Sequence, residues 1–377
     1  MKTLKIGGLT IKVPIIQGGM GVGVSLSGLA VAVANEGGVG VISAAGLGLV
    51  HKNSALDYIQ ANIEGLKQEI RLAKEKTKGI IGVNIMVAMS NFADLVKTAI
   101  SEKADIIFAG AGLPLELPKF LNKDSVTRLV PIVSSGRAAK LICEKWQNGY
   151  GYLPDAIVVE GPKAGGHLGF KGIQIADQHF SLEEIVPDVV REVKYFEDLY
   201  NKKIPVIAAG GIYTGEDIYN ILQMGASGVQ MGSRFVTTEE CDASPKFKQT
   251  YIDATESDIE IIQSPVGMPG RAVRNSFIDK VKLGLKTPIK CPFHCIRTCD
   301  STKSPYCIIS ALYNAYKGRM ENGYAFAGIN AFRATKITTV KEVFAELKSD
   351  FQAKLTMIND KIKELKDSND SSESNDL

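Results

Sequence analysis

Eight short apolar runs, separated by stretches with the pattern of amphipathic helices, recur along the first 235 residues of this chain. The runs are rich in Val and Ile and lack the polar–apolar alternation of half-exposed strands. Strands of this kind are buried on both faces, as in a parallel sheet covered by helices. Strands are therefore predicted at 14–17, 38–43, 80–86, 104–109, 129–134, 156–160, 204–209 and 228–232.

The stretches between these runs have helical periodicity. Helices are predicted at 25–36, 56–75, 92–103, 137–147, 182–200 and 215–224. Eight strands, most of them followed by a helix, favour a closed (β/α)8 barrel, or TIM barrel, over an open doubly wound α/β sheet. After Arg234 the alternation stops, and scattered Pro, Gly and Cys residues predict an appended, mostly helical subdomain.

Three regions follow from this pattern. We expect a barrel core at 1–235, an appended subdomain or lid at 236–340, and a C-terminal part at 341–377. Within the last part, 341–365 has the pattern of a charged amphipathic helix. Residues 366–377 have almost no apolar content and predict a disordered, solvated tail.

Composition excludes several classes of protein. Hydrophobic residues make up 45% of the 377 residues and charged residues 23%, which is ordinary for a globular enzyme with a sizeable core. A net charge of +3 gives no reason to expect nucleic acid or a membrane surface as partner. No apolar run reaches the length of a signal core or a membrane span, so we expect a cytoplasmic protein.

One of only four His residues, His167, lies in the glycine-rich segment AGGHLG at 164–169, directly after the predicted strand 156–160. Glycines let the backbone approach a ligand closely, and loops at strand ends carry the chemistry of α/β barrels. The alternative is a glycine-rich turn with an exposed His. The position at a strand end favours a catalytic His, whose imidazole can take a proton near neutrality.

Two later strand ends have the pattern of a phosphate site. The segments VIAAGGI at 206–212 and VQMGSRF at 229–235 place Gly210, Gly211 and Gly232 after predicted strands seven and eight. In barrels these loops often bind phosphate through backbone amides, and the Ser233 hydroxyl adds a donor. The alternative is a pair of tight turns that need positive φ.

Two earlier strand ends suit a flat ring. The segment PIIQGGMG at 14–21 supplies small residues, and Asn84 in GVNI at 82–85 supplies an amide that can donate and accept at ring heteroatoms. Together with the phosphate site, these features fit FMN bound across the barrel mouth, with its ring near His167. No GxGxxG segment stands in a dinucleotide-fold context.

These segments, in unbroken order over roughly residues 10 to 240, resemble the nitronate monooxygenase family, formerly called 2-nitropropane dioxygenases. The resemblance is carried by QGGM at 17–20, GVN at 82–84, GAGLP at 110–114, EGPKAGGH at 160–167, AAGGI at 208–212 and QMGSRF at 230–235. It implies a TIM barrel that binds FMN non-covalently and oxidises alkyl nitronates with dioxygen to a carbonyl compound and nitrite or nitrate.

The resemblance also implies roles for individual residues. His167 matches the family's active-site His, a base towards neutral nitroalkanes and an anchor for nitronate anions. The positions that match FMN contacts of the family are Gly19, Met20, Asn84, Glu160, Gly165, Gly211, Gln230, Met231, Gly232 and Ser233. For Glu160, orienting a backbone segment or a cation is an equally weighted alternative. The oligomeric state stays open, with a homodimer among the options.

The same motifs are compatible with two other functions. FMN-containing type II enoyl-acyl-carrier-protein reductases share nearly all these motifs, so an NAD(P)H-dependent enoyl-thioester reductase is the alternative. Leu113-Pro114 is more similar to the nitronate-oxidising branch. A non-catalytic flavin-binding sensor is the third hypothesis.

Cys291, Cys295, Cys299 and Cys307 form the most unusual local pattern of the chain. They could hold zinc or an iron–sulfur cluster, or form a redox-active pair. Their spacing fits neither a CxxC zinc knuckle nor a ferredoxin sequence, and free thiols packed in the appended subdomain are favoured. The sequence therefore predicts no metal ligands.

Overall fold

The computed structural model describes the backbone of residues 1–51, 57–287, 291 and 293–373, and the side chains of these residues up to 367. The strands of this part of the chain are β1 Leu4–Ile6, β2 Leu9–Ile11, β3 Ile15–Gln17, β4 Val39–Ser43, β5 Ile80–Met86, β6 Ile106–Gly110, β7 Arg128–Val133, β8 Ile157–Glu160, β9 Gly166–His167, β10 Val206–Ala209, β11 Gly228–Met231, β12 Ile259–Gln263 and β13 Pro269–Val273.

Up to β11, most of the helices of the described residues lie between consecutive barrel strands, and β6 and β7 are joined without an α-helix. The helices are α1 Ser27–Asn35, α2 Leu47–Val50, α3 Tyr58–Lys76, α4 Phe92–Ser101, α5 Gly136–Tyr150, α6 Leu182–Tyr200, α7 Gly215–Gln223, α8 Ser233–Val236, α9 Pro245–Ile252, α10 Ser276–Lys282, α11 Ile308–Tyr316 and α12 Val340–Glu373.

Eight strands close into a parallel barrel in the order β3-β4-β5-β6-β7-β8-β10-β11, and β11 pairs again with β3. Each of the eight predicted strands contributes one barrel strand, so the predicted TIM barrel is confirmed. The six predicted helices are also present, with ends shifted by up to three residues. Position 56, the predicted first residue of one of them, lies outside the described residues.

The barrel has two apolar layers because its strands are buried on both faces. Side chains such as Ile16, Val41 and Phe108 fill the interior, and a larger cluster lies between the strands and the helices. The hairpin β1–β2 contributes Leu4 and Ile11 to the interior cluster. One end of the barrel is thereby filled with apolar side chains, which leaves the opposite mouth for a ligand.

The chain leaves the barrel after β11 and builds a smaller unit above its mouth. There β12, β13 and β9 form an antiparallel sheet, which packs with α10 and α11 around a separate core that includes Phe277, Tyr306 and Tyr324. Since β9 belongs to the loop after β8, this sheet joins the appended unit to the His167 segment.

Helix α12 packs against α7 and α1 and takes the place of the eighth barrel helix. Phe344 is buried beside Phe235, and Phe351 lies against Tyr219. The expected disorder after residue 365 differs from the structure, in which the backbone is helical through Glu373. An established helix extends at low cost, and this sequence has no Gly or Pro to stop it. Residues 374–377 lie outside the described part.

Among the described residues, no helix combines the length and apolar content needed to cross a bilayer.

Candidate active site

The carboxyl ends of the barrel strands surround a cavity of about 280 Å³. Because all barrel strands are parallel, side chains that directly follow different strands meet at the same end of the barrel. The cavity wall contains every residue that the sequence predicted for cofactor binding or catalysis, namely Gly19, Met20, Asn84, Glu160, Gly165, His167, Gly211, Gln230, Met231, Gly232 and Ser233. Their proximity is a finding, and their roles stay predictions.

His167 is held at the edge of this cavity by contacts from the appended unit. Its backbone pairs with Gly270 of β13. Its Nε2 lies 2.7 Å from the Ser264 hydroxyl, and its ring meets Phe326 edge-on, with 5.0 Å between centroids. No other described residue offers a hydrogen-bond partner to Nδ1. With Ser264 accepting the Nε2 proton, Nδ1 holds the lone pair and is available to a ligand.

The protonation state of His167 follows from its surroundings. Burial lowers the pKa of the imidazole from 6.5 to about 4, and no carboxylate pairs with it among the described residues. The ring is therefore neutral at pH 7 and can accept a proton, as a general base must.

A buried arginine fixes the loop that carries His167. The Arg271 guanidinium on β13 donates two hydrogen bonds through Nη1, to the carbonyl of Pro162 at 2.7 Å and to that of Ala164 at 2.6 Å. Burial lowers the pKa of Arg271 to about 10, and the two carbonyls compensate the desolvated charge. Sequence reasoning missed this residue because its partners lie more than 100 positions away.

The loops after β10 and β8 approach each other with almost no space between them. Gly210 and Gly211 have φ values of +101° and +85°, which favour glycine. A Cβ at Gly211 would lie 2.9 Å from Cβ of Lys163. This geometry leaves backbone amides at the cavity wall, as a phosphate site requires.

The segment 326–330 closes this side of the cavity. The Gly328 amide donates to the Ser233 hydroxyl at 2.8 Å, which leaves the hydroxyl proton of Ser233 for a ligand. The Asn330 side chain donates to the carbonyl of Gly211 at 2.6 Å, and the Ile329 amide donates to that of Lys163 at 3.1 Å. The small residues of FAGIN at 326–330 are the only sequence signal that points to this segment.

The opposite wall of the cavity is flat and tightly packed. A Cβ at Gly19 would lie 2.3 Å from Cβ of Asn84, so this position tolerates only glycine. The Met20 amide is held by the Ser25 hydroxyl at 2.8 Å. These contacts place the Asn84 amide and the backbone of 18–20 side by side, an arrangement that suits a planar ring with polar edges.

Glu160 is the only acidic residue in the wall of this cavity among the described residues. Burial raises the pKa of its carboxyl from 4.5 to about 7, and its carboxylate has no hydrogen-bond or ion-pair partner among the described residues. A buried carboxylate without a hydrogen-bond partner destabilises the protein unless a bound ligand supplies that partner.

The outer part of the cavity is apolar and comes from the appended unit. Its wall there includes Tyr251, Val266, Ile308, Leu312 and Phe326. The sequence predicted a lid in this region but none of these lining residues. All of them except Tyr251 belong to a second core, whose position depends on the chain path.

A parallel barrel with a glycine-lined cavity at its mouth and a half-buried, neutral His beside it is the architecture of a TIM-barrel enzyme. The chain belongs to the nitronate monooxygenase family, whose model matches residues 2–350. The predicted family resemblance is confirmed.

The relatives that this chain matches are named for different activities. The chain is 26% identical over 306 residues to a protein of Staphylococcus saprophyticus named "Probable nitronate monooxygenase", covering 74% of this chain and 81% of that one. It is 27% identical over 274 residues to the (3aS,4S,5R,7aS)-5-hydroxy-7a-methyl-1-oxo-octahydro-1H-indene-4-carboxyl-CoA dehydrogenase of Mycobacterium tuberculosis, covering 73% and 66%.

A solved structure, FabK from Thermotoga maritima, superposes with a TM-score of 0.70 at 28% identity, covering 93% of this chain and 96% of that one. The high coverage of both chains means that the appended unit belongs to the shared architecture as well as the barrel.

Proposed function

We propose that this protein binds FMN at the barrel mouth and oxidises alkyl nitronates with dioxygen, giving a carbonyl compound and nitrite or nitrate. The observation that carries the proposal is the partly buried, uncharged His167 at the edge of a cavity lined by both ring-type and phosphate-type contacts. Bound FMN would supply the two-electron acceptor that passes electrons to dioxygen.

The residues present fit FMN at both ends of the cavity. Gly210 and Gly211 line the phosphate end with positive φ, and the Ser233 hydroxyl there keeps its proton to donate. At the ring end, Asn84 and Gln230 offer amides to ring heteroatoms.

His167 would take a proton from the carbon next to the nitro group of a neutral nitroalkane. The resulting imidazolium would pair with the nitronate anion, and this ion pair would hold the nitronate near the flavin. The 2.7 Å contact between Nε2 and the Ser264 hydroxyl orients the ring. In the tautomer in which Nε2 donates to this hydroxyl, the Nδ1 lone pair is the proton acceptor. A substrate that is already a nitronate needs only the anchoring role.

The first test uses the purified protein in air. It should contain FMN in about equal amount to protein and consume oxygen with propionate 3-nitronate without added NAD(P)H. His167→Asn should keep FMN and lower kcat/KM for neutral nitroethane by roughly 10²–10⁴-fold, the usual contribution of a general base. His179→Asn is the matched control, because His179 is 91% exposed outside the cavity. Equal loss in both variants contradicts the role of His167.

A second candidate is an NAD(P)H-dependent enoyl-thioester reductase with the same flavin site. The similarity to FabK and to a dehydrogenase of a carboxyl-CoA compound supports it, and so does the apolar outer wall, which suits an acyl chain. Reduction of crotonyl thioesters by NADH, without oxygen uptake from nitronates, would establish this candidate and reject the first. A colourless protein that FMN cannot reconstitute rejects both.

A further inference from the structure

The four cysteines of the 291–307 segment line one second cavity of about 200 Å³. Cys295 is buried, whereas Cys291, Cys299 and Cys307 are half-buried, and none forms a disulfide. Eight to sixteen positions separate Cys307 from the other three, so the fold of the segment brings the thiols together. Thiols packed only to fill an apolar core would not leave a cavity between them.

The segment that carries them has little regular structure of its own. Between Lys282 and Ile308, the described residues form no helix or strand. The segment is attached to the barrel loop after β5, where Ser90 donates its amide to the carbonyl of Cys295 at 3.1 Å and Arg297 donates its amide to that of Ala88 at 3.0 Å. Long loops in a compact protein are often functional, and metal binding can supply the free energy that orders such a segment.

Two features of the cavity wall favour a thiolate. The His294 amide donates to Sγ of Cys291 at 3.4 Å. Arg297 adds a positive charge to the cavity wall. Hydrogen bonds to sulfur and nearby positive charge stabilise the negative charge of thiolate ligands.

The arrangement does not suit a single ion. Zinc draws its sulfur ligands to about 2.3 Å, so they must lie close together. Among the described residues, no three His, Cys, Asp or Glu side chains are placed to hold one metal ion. A cluster with bridging sulfides is larger, so its four cysteine ligands stand further apart around a cavity. We propose that Cys291, Cys295, Cys299 and Cys307 bind an iron–sulfur cluster.

The position of the cavity fits a redox-active group. Cys295, Ile296 and Ile308 line both this cavity and the large cavity at the barrel mouth, so one layer of side chains separates the two. Zinc has no redox chemistry, whereas an iron–sulfur cluster carries single electrons. Electron exchange with FMN rests on the proposed function, and the cluster site itself does not.

The test measures iron, acid-labile sulfide and FMN separately in the full-length protein, purified and reconstituted anaerobically with ferrous iron and sulfide. Iron and sulfide should be retained in equal amounts after gel filtration, with visible absorption that persists after FMN is extracted and a paramagnetic signal after dithionite reduction. Cys299→Ala and Cys307→Ala should lower iron and sulfide to background. Cys143→Ala is the matched control, since that thiol is buried in α5 away from the cavity.

The wild-type protein decides the question even if a variant folds poorly. Four freely titrating thiols without retained iron and sulfide would overturn the proposal, and so would stoichiometric zinc without sulfide. Iron and sulfide in a protein that takes no FMN would support the cluster and contradict the proposed function. FMN with nitronate oxidation but no iron would support the proposed function and contradict the cluster.

Discussion

At the scale of single residues, the site depends on groups whose protonation is set by burial. Among the described residues, His167 contacts the Ser264 hydroxyl and the edge of Phe326 but no carboxylate, so burial lowers the pKa of its imidazole. Glu160, across the same cavity, has a pKa raised to about 7 by burial. Burial favours the neutral form of both groups, which suits the proposed binding of an aromatic ring and the proposed proton transfer.

The pH dependence of turnover should show the lowered pKa of His167. The pKa of His167 is lowered to about 4, so kcat/KM for a neutral nitroalkane should stay near its plateau well below pH 6.5 and fall only as pH approaches 4. Unfolded His binds protons below 6.5, so stability should also decrease as pH falls through this window.

A second inflection near pH 7 would come from Glu160 and should disappear in Glu160→Gln. The measurement is a pH profile of kcat/KM for both proteins. If kcat/KM of Glu160→Gln fell on the acid side with an inflection near pH 6.5, the lowered pKa of His167 would be contradicted.

At the scale of elements, two segments close on each other above the barrel mouth. The loop after β8 brings Gly165 against the backbone of the segment 326–330, and a Cβ there would lie 2.5 Å from the Gly328 amide nitrogen. The same amide bonds to Ser233, so the closure connects the His167 loop to the predicted phosphate site.

Gly165→Ala should therefore push the segment 326–330 away and weaken FMN binding by at least about tenfold, since one hydrogen bond and the shape of the site are lost together. Gly172→Ala is the control in the same loop, because its Cβ meets nothing within 4 Å and its φ is not positive. Fluorescence titration of the apoprotein with FMN measures both. Equal affinities would mean that the closure does not shape the site.

At the scale of the whole molecule, the barrel is completed by residues far from the rest of it in sequence. After β11 the chain builds the appended unit and then returns as α12, which packs on α7 and α1. The predicted core at 1–235 therefore lacks its last helix, and the barrel and the appended unit share one continuous path. This connection links the stability of the barrel to the part that covers its mouth.

Phe344→Ala should lower the free energy of unfolding by about 3–5 kcal/mol, because it empties a fully buried site between α12 and the barrel. Ile362→Ala, on the distal part of the same helix where the side chain is 46% exposed, should change it by less than about 1 kcal/mol. Denaturant unfolding of both variants gives the comparison. Similar values would mean that α12 does not complete the barrel.

Local sequence patterns were sufficient to predict the barrel, its eight strands and most of its helices, because periodicity and glycine positions are local properties of the chain. They also located the strand ends that carry Asn84, His167 and Gly211. The tertiary structure alone decided that Ser264 and Phe326 flank His167, that Arg271 and Asn330 hold the loops, that α12 replaces the eighth helix, and that four thiols share a cavity. These are contacts between segments far apart in the chain, which depend on its path through space and not on local pattern.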